Sequence, residues 1–181
     1  MSKNLYPYRR FPTIQAAPTS KAVRGTDAVK DQLYDLCLEC DKRIITIECY
    51  PGVDDAEILS LFPKASLVIH ADELAITPAE LDAKIEHELT DDQVFGIMTT
   101  WRLLDFFPNE ALCAAREKIN AVESGLVIVY GVGASLVTRG DVLIYADLTR
   151  WEVQLRFRKG QDNWHTACHG LSQRAKYKRG Y

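Results

Sequence analysis

The stretch Arg43-Ile44-Ile45-Thr46-Ile47-Glu48-Cys49-Tyr50-Pro51-Gly52-Val53-Asp54-Asp55 decides how this chain is read. Its first seven residues form an apolar, Ile-rich run, the pattern of a strand buried on both faces. Pro51-Gly52 makes a tight turn, and Asp54 or Asp55 is placed to cap a short helix that ends before Pro63. Strand, turn and helix start in that order is the place where an α/β sheet binds ligands, outside the carboxyl end of a strand.

A phosphate-binding loop at this place would run G-x-x-x-x-G-K-[ST]. The stretch has one glycine, no lysine, and two aspartates at the helix entrance. Those carboxylates complement the positive end of the helix dipole internally and repel a polyphosphate.

Working outward, the same alternation recurs. Thr26 caps a helix predicted to reach Asp41, with Val29, Leu33, Leu36, Cys37 and Cys40 on one face. Ser66–His70 reads as a second strand. Thr77-Pro78-Ala79-Glu80 has the cap, the first-turn proline and the third-position glutamate of a strong helix start, predicted to run to Leu89. Asn109 is placed to cap a helix predicted to reach Val122. Leu126–Tyr130 and Val142–Ala146 are a third and fourth strand, and Thr149 starts a helix to Lys159. Continuous apolar strands separated by helices predict an α/β fold, a three-layer parallel sheet with helices on both faces. Residues 1–25, with Pro7, Pro12 and Pro18, read as an extended arm. Residues 26–160 read as the α/β domain and 161–181 as a basic tail.

The 181 residues suit one domain, at 47% hydrophobic and 26% charged. The net charge of −3 is uneven, because Arg156–Tyr181 carries seven basic residues and one acid, a local +6. Such a tail meets solvent, phosphates or an acidic partner. Five cysteines without a disulfide framework, no apolar leader and no membrane-length apolar run read as a cytoplasmic protein with free thiols, and no membrane partner is expected.

Other clusters are weaker. Gly131-Val132-Gly133 follows a strand, but Leu136 stands where a dinucleotide fingerprint needs its third glycine. Cys37-Leu38-Glu39-Cys40 lacks a second pair, so it reads as a helix face rather than a zinc site. His165 and His169 would share a face if their segment were helical. Arg150, Arg156 and Arg158 lie on the helix after the last strand, where arginines can meet a phosphate.

The order of pieces from Ile44 to Lys159 resembles the uridine-kinase-like branch of P-loop nucleoside kinases. Leu126–Ala134 resembles that family's strand ending in an acid and glycine, Asp141–Asp147 its last core strand, and Leu148–Arg158 its arginine-bearing lid helix. The family's phosphate loop falls on Cys49–Asp55, without its lysine, and its acid falls on Tyr130. Phosphoryl transfer is nearly all positioning and charge stabilisation, so these losses imply a non-catalytic relative.

The wording of Glu48–Asp54, Asp92–Gly96, Val129–Ala134 and Tyr145–Glu152 is similar to the N-terminal, kinase-like domain of long bacterial class I mannose-6-phosphate isomerase proteins. That resemblance implies a ligand-sensing or interaction module beside a cupin isomerase domain, in cis or trans. Zinc is expected only in that downstream domain, because no Q-x-H motif occurs here. The ending Lys178-Arg179-Gly180-Tyr181 reads as the close of a first domain, with residues 161–181 a linker, or as a gene that ends early. The ligand site implied is Tyr50, Gly52, Val53, Asp54, Tyr130, Gly131, Gly133, Asp147, Arg150, Arg156 and Arg158, with a nucleotide or sugar phosphate as ligand; nucleic acid is not expected. Two alternatives stand beside it. One is an active phosphotransferase with a metal held by Asp54, Asp55 and Asp147. The other is a structural domain that docks an acidic partner through the basic tail.

Overall fold

The computed structural model describes residues 13, 15, 22–37, 41–166 and 168–179. Most of the expected N-terminal arm, and Cys40 of the C-x-x-C pair, therefore lie outside the described residues.

Four strands form one sheet in the order β2-β3-β1-β4, all parallel: β1 (Lys42–Cys49), β2 (Leu67–His70), β3 (Gly125–Gly131) and β4 (Val142–Ala146). The apolar runs explain the order. β3 is buried almost throughout, β1 is buried or half-buried along its length, and the two occupy the centre, whereas the edge strand β4 exposes alternate residues and the edge strand β2 exposes Val68. Ile45, Ile47, Cys49, Ile128 and Tyr130 point to one face, against Phe62 and the half-buried Leu33, Cys37, Ile58 and Leu59. The last four belong to α1 (Thr26–Cys37) and α2 (Asp55–Leu59). Val127 and Val129 point to the other face. There they meet Leu112, Ala115 and Ile119 of α4 (Asn109–Ala121), and Ala134 and Val137 of α5 (Ala134–Val137). Helices thus cover both faces, as the strand composition required.

The connection leaving β1 runs through α2 on one face, and the connection leaving β3 runs through α5 on the other. β1 and β3 are neighbours, so a crevice opens between their carboxyl ends at the topological switch point.

Local chemistry places the remaining helices. Thr77 and Glu80 form the expected capping box at the start of α3 (Pro78–Ile85). That helix stops four residues earlier than predicted, and Glu86–Glu88 tightens into a 3-10 turn. Thr149 caps α6 (Arg150–Arg158), which buries Val153 and Phe157.

The segment expected to be a basic tail folds back on the domain. It ends in α7 (Gln173–Lys178), whose Tyr177 meets Phe157 edge to face at 6.5 Å. Lys176 is buried and reaches the Gly160 and Gln161 carbonyls and Asp162. Lys178 Nζ donates to the carbonyls of Leu89 and Asp92 at 2.6 Å and of Thr90 at 3.1 Å. Arg179 pairs with Asp82. Lys176 and Lys178 thus satisfy irregular backbone of the domain itself, and Arg179 one of its carboxylates. His165 and His169 do not share a helix face. His165 sits at φ 52° with its Nε2 on the Ile76 carbonyl, and His169 Nδ1 is 2.6 Å from Asp162.

Thr46 lies at the middle of β1, fully buried, and its hydroxyl has no hydrogen-bond partner among the described residues. An unpaired buried hydroxyl costs stability, whereas a methyl of the same shape does not. Thr46→Val is therefore expected to raise the free energy of unfolding by about 1 kcal/mol, read by urea denaturation. An unchanged or lower stability would show that the hydroxyl is satisfied.

Candidate functional site

The crevice is built from three loop starts: Tyr50–Asp54 after β1, His70–Asp72 after β2, and Gly131–Gly133 after β3. Tyr50-Pro51-Gly52-Val53 is a β-turn closed by Val53 N–H on the Tyr50 carbonyl at 3.1 Å. Gly52 has φ +97°, the left-handed position that a type II turn gives to glycine after proline. Asp54 caps α2, its carboxylate accepting from Glu57 N–H at 2.9 Å.

The loop after β3 is the electrostatic centre. Gly131 and Gly133 have φ +110° and +84°, and between and after them the backbone turns several N–H groups inward. In an anion-binding loop these donors would hold phosphate. Here they hold carboxylates of the chain. Gly133 N–H donates to Glu48 Oε1 and Ser135 N–H to Glu48 Oε2, both at 2.7 Å. Val132 N–H donates to Asp72 Oδ1 at 2.7 Å. The register explains the reach: Glu48 pairs with Gly131 across the β1–β3 ladder and points to the α5 face. A Cβ on Gly131 would lie 2.6 Å from Asp72 Oδ1, and one on Gly133 would lie 2.6 Å from Phe107 Cζ. Only glycine fits both places.

His70 pairs with Tyr130 in the β2–β3 ladder, and the two rings stack with centroids 4.5 Å apart and planes within 3°. His70 Nε2 lies 3.5 Å from Asp55 and 3.7 Å from Asp72, and Nδ1 lies 3.9 Å from Glu73. Burial raises the Asp72 carboxyl above the usual range, although the His70 charge and the Val132 N–H oppose it. Burial, reinforced by the charges of Asp55, Glu73 and Asp72, pushes the Tyr130 hydroxyl up to about 12. Burial likewise drives the Cys49 thiol up to about 11 against the Gly131 N–H, and Asp55, Asp72 and Glu48 add to the rise. The crevice is strongly electronegative.

The sequence-derived site residues divide into groups. Tyr50, Gly52, Val53 and Asp54 stand on one side of the crevice, and Tyr130, Gly131 and Gly133 on the other. Arg156 joins the first group as a clamp. Its Nη1 donates to the Gly52 carbonyl at 2.7 Å and its Nε pairs with Glu152 at 3.0 Å. Arg150 bonds the Tyr177 hydroxyl through its Nε. Arg158 reaches Gln173 of α7 at 2.7 Å and lies over the Trp151 ring, so it serves the α6–α7 contact. Asp147 accepts from Leu148 N–H at 2.8 Å. Asp54, Asp55 and Asp147 are thus engaged with Glu57 N–H, His70 and Leu148 N–H respectively. Among the described residues no three His, Cys, Asp or Glu side chains are grouped to hold a metal ion.

Glu48, His70 and Asp72 were missed as site residues. Glu48 had a signal, being the only charge between Ile44 and Cys49 in an otherwise apolar strand.

A crevice at the switch point of an all-parallel α/β sheet, its backbone donors taken by internal carboxylates, defines the class of the molecule. The chain belongs to the family described as Domain of unknown function (DUF8485), whose model matches residues 25–181. No curated protein and no solved structure matches the chain. No helix among the described residues is long and apolar enough to cross a membrane.

Two outcomes follow. Glu48→Ala leaves the Gly133 and Ser135 N–H groups without their charged acceptor and is expected to cost about 2–4 kcal/mol of stability, with Glu48→Gln costing roughly half as much. Chemical denaturation reads both; equal stability of Glu48→Ala and the parent would contradict the geometry. The second concerns alkali. The Cys49 thiol titrates near 9.0 when unfolded and near 11 in the fold, so the folded state keeps a proton that the unfolded state releases. Its contribution is complete below pH 9 and is lost as pH rises toward 11. Cys49→Ala, measured by urea unfolding across that range, is expected to show a shallower decline than the parent; a parallel decline would contradict it.

Proposed function

We propose that this chain is a non-catalytic, kinase-shaped binding module that keeps an α/β crevice and does not transfer phosphoryl groups. One observation carries the reading: the N–H groups of Val132, Gly133 and Ser135, which an anion would need, are bound by Asp72 and Glu48. A triphosphate entering the crevice would have to displace both carboxylates and would still meet Asp54, Asp55 and Glu73 nearby. The arginine best placed to compensate, Arg156, is already held by Gly52 and Glu152. Phosphoryl transfer draws nearly all of its rate from positioning and charge stabilisation, so a crevice of this sign works against it. Association with a mannose-6-phosphate isomerase-type domain rests on the sequence resemblance and makes that domain the first partner to test.

The test is calorimetry and a coupled ADP-release assay with magnesium-ATP, alone and with uridine or mannose 6-phosphate. Millimolar or weaker ATP affinity and ADP release no faster than without protein are expected. Micromolar ATP affinity with a phosphorylated product would overturn the proposal.

A further inference from the structure

Beside the crevice lies a cavity of about 690 Å³, large enough for a small organic ligand. Pro51 and Val132 of the crevice loops line one side, so the two spaces are neighbours. Three rings stand in the wall, those of Trp101, Phe106 and Trp164. Phe106 meets Trp101 at 6.5 Å with the planes 64° apart, and Trp164 at 6.4 Å with the planes 84° apart. Phe107 stacks on Trp164 at 6.1 Å. The Lys84 ammonium, held by the Asp105 carbonyl, sits 4.4 Å from the Trp101 centroid. These contacts fix the rings, and rings so inclined offer a flat molecule both a face to stack on and an edge to meet. Leu81 and Ile85 of α3 add buried apolar wall, whereas Ile97 and Met98 line the cavity and stay exposed by 60% and 93%. Apolar side chains left in water at a cavity are what an apolar ligand covers.

The polar side chains of the lining are engaged within the chain. Arg179 pairs with Asp82. Lys178 donates to the carbonyls of Leu89, Thr90 and Asp92, and its charge also acts on the Asp92 carboxylate. Arg150 bonds the Tyr177 hydroxyl and lies 5.2 Å over that ring, which engages two lining groups at once. Asn163 donates to the Lys176 carbonyl and accepts from Trp164 N–H, both at 2.7 Å. Thr99 accepts from Trp101 N–H at 3.1 Å. Among the described residues the lining has one carboxylate, Glu88, with His87 Nε2 3.8 Å away. An anion entering here meets cations that already have partners, and Glu88 beside them. A cation meets Glu88 together with three basic side chains. Neither sign of charge regains what it loses in leaving water, so the wall favours a ligand without one.

We infer that this cavity binds an uncharged, flat, ring-bearing organic molecule, held by its apolar surface against Trp101, Phe106 and Trp164. Burial of that surface supplies the affinity, and the inclined rings give the molecule faces and edges to pack on. This rests on the reading of the chain as a binding module and gives that module a ligand of a class other than phosphates.

N-Phenyl-1-naphthylamine, an uncharged dye that fluoresces when it leaves water, reports occupancy. Three competitors share one ring system and differ in charge: 1-naphthalenemethanol, 1-naphthoate and 1-naphthylmethylammonium. Titration of the native chain is expected to give one dye per chain at micromolar affinity. The alcohol is expected to displace the dye at a concentration about tenfold below that needed by either ion. Trp101→Ala weakens the dye about tenfold. Near-ultraviolet circular dichroism checks that the variant is folded, and an unfolded Trp101→Ala is replaced by Leu103→Ala. Displacement by either ion as readily as by the alcohol, or by none of the three, would overturn the ligand class and leave the binding-module reading standing. Failure of the dye to bind the native chain, binding only as the near-ultraviolet signal is lost, or unchanged affinity in the folded variant would overturn the cavity as the site. Phosphoryl transfer from ATP would overturn the proposed function instead, so the failures are distinct.

Discussion

The carboxylate of Glu48 on the Gly133 and Ser135 amides ties the centre of this structure together. It joins the end of β1 to the loop after β3 and fixes the start of α5 over the sheet. The two glycines exist because that loop needs positive φ and because Asp72 and Phe107 press against it. Asp72, held by the Val132 amide, extends the tie to β2. Three loops that would otherwise form an open anion cradle are thereby closed by the chain's own charge. The cost is a partly buried group of carboxylates around His70: burial raises the proton affinities of Asp72, Cys49 and Tyr130, and the neighbouring carboxylates add to the rise.

Much of the fold was legible in the residues. Strands buried on both faces read as unbroken apolar runs, and all four stand where those runs are. Caps at Asp54, Thr77 and Thr149 were legible because capping is local. What could not be read depends on partners far away in sequence. Lys178 serves carbonyls 86 to 89 residues distant, so the basic C-terminal segment read as a tail that meets solvent, phosphates or an acidic partner. The early end of α3 belongs to the same contact, since the irregular chain after it presents the carbonyls that Lys178 gathers. His165 and His169 looked like a helical pair only while their backbone was unknown.

The candidate site shows the same division. Its location at Tyr50–Asp54 and Tyr130–Gly133 follows from strand order and turn residues. Its sign does not, because it is set by Glu48 and Asp72 reaching across the ladder. Arg156 looked like an anion ligand and is a clamp on the Gly52 carbonyl, a role that needs the α6–turn contact to be seen. The result is a crevice whose inward-facing amides are bound by the chain's own carboxylates, with a largely apolar, aromatic cavity beside it.

The most direct measurement is an amide nuclear magnetic resonance titration with magnesium-ATP, following Val132, Gly133 and Ser135. If Glu48 and Asp72 occupy these donors, the three resonances stay in place as ATP is raised to millimolar concentration. Saturable movement of the Gly133 and Ser135 resonances at micromolar ATP would contradict the account, because the phosphate cradle would then be open.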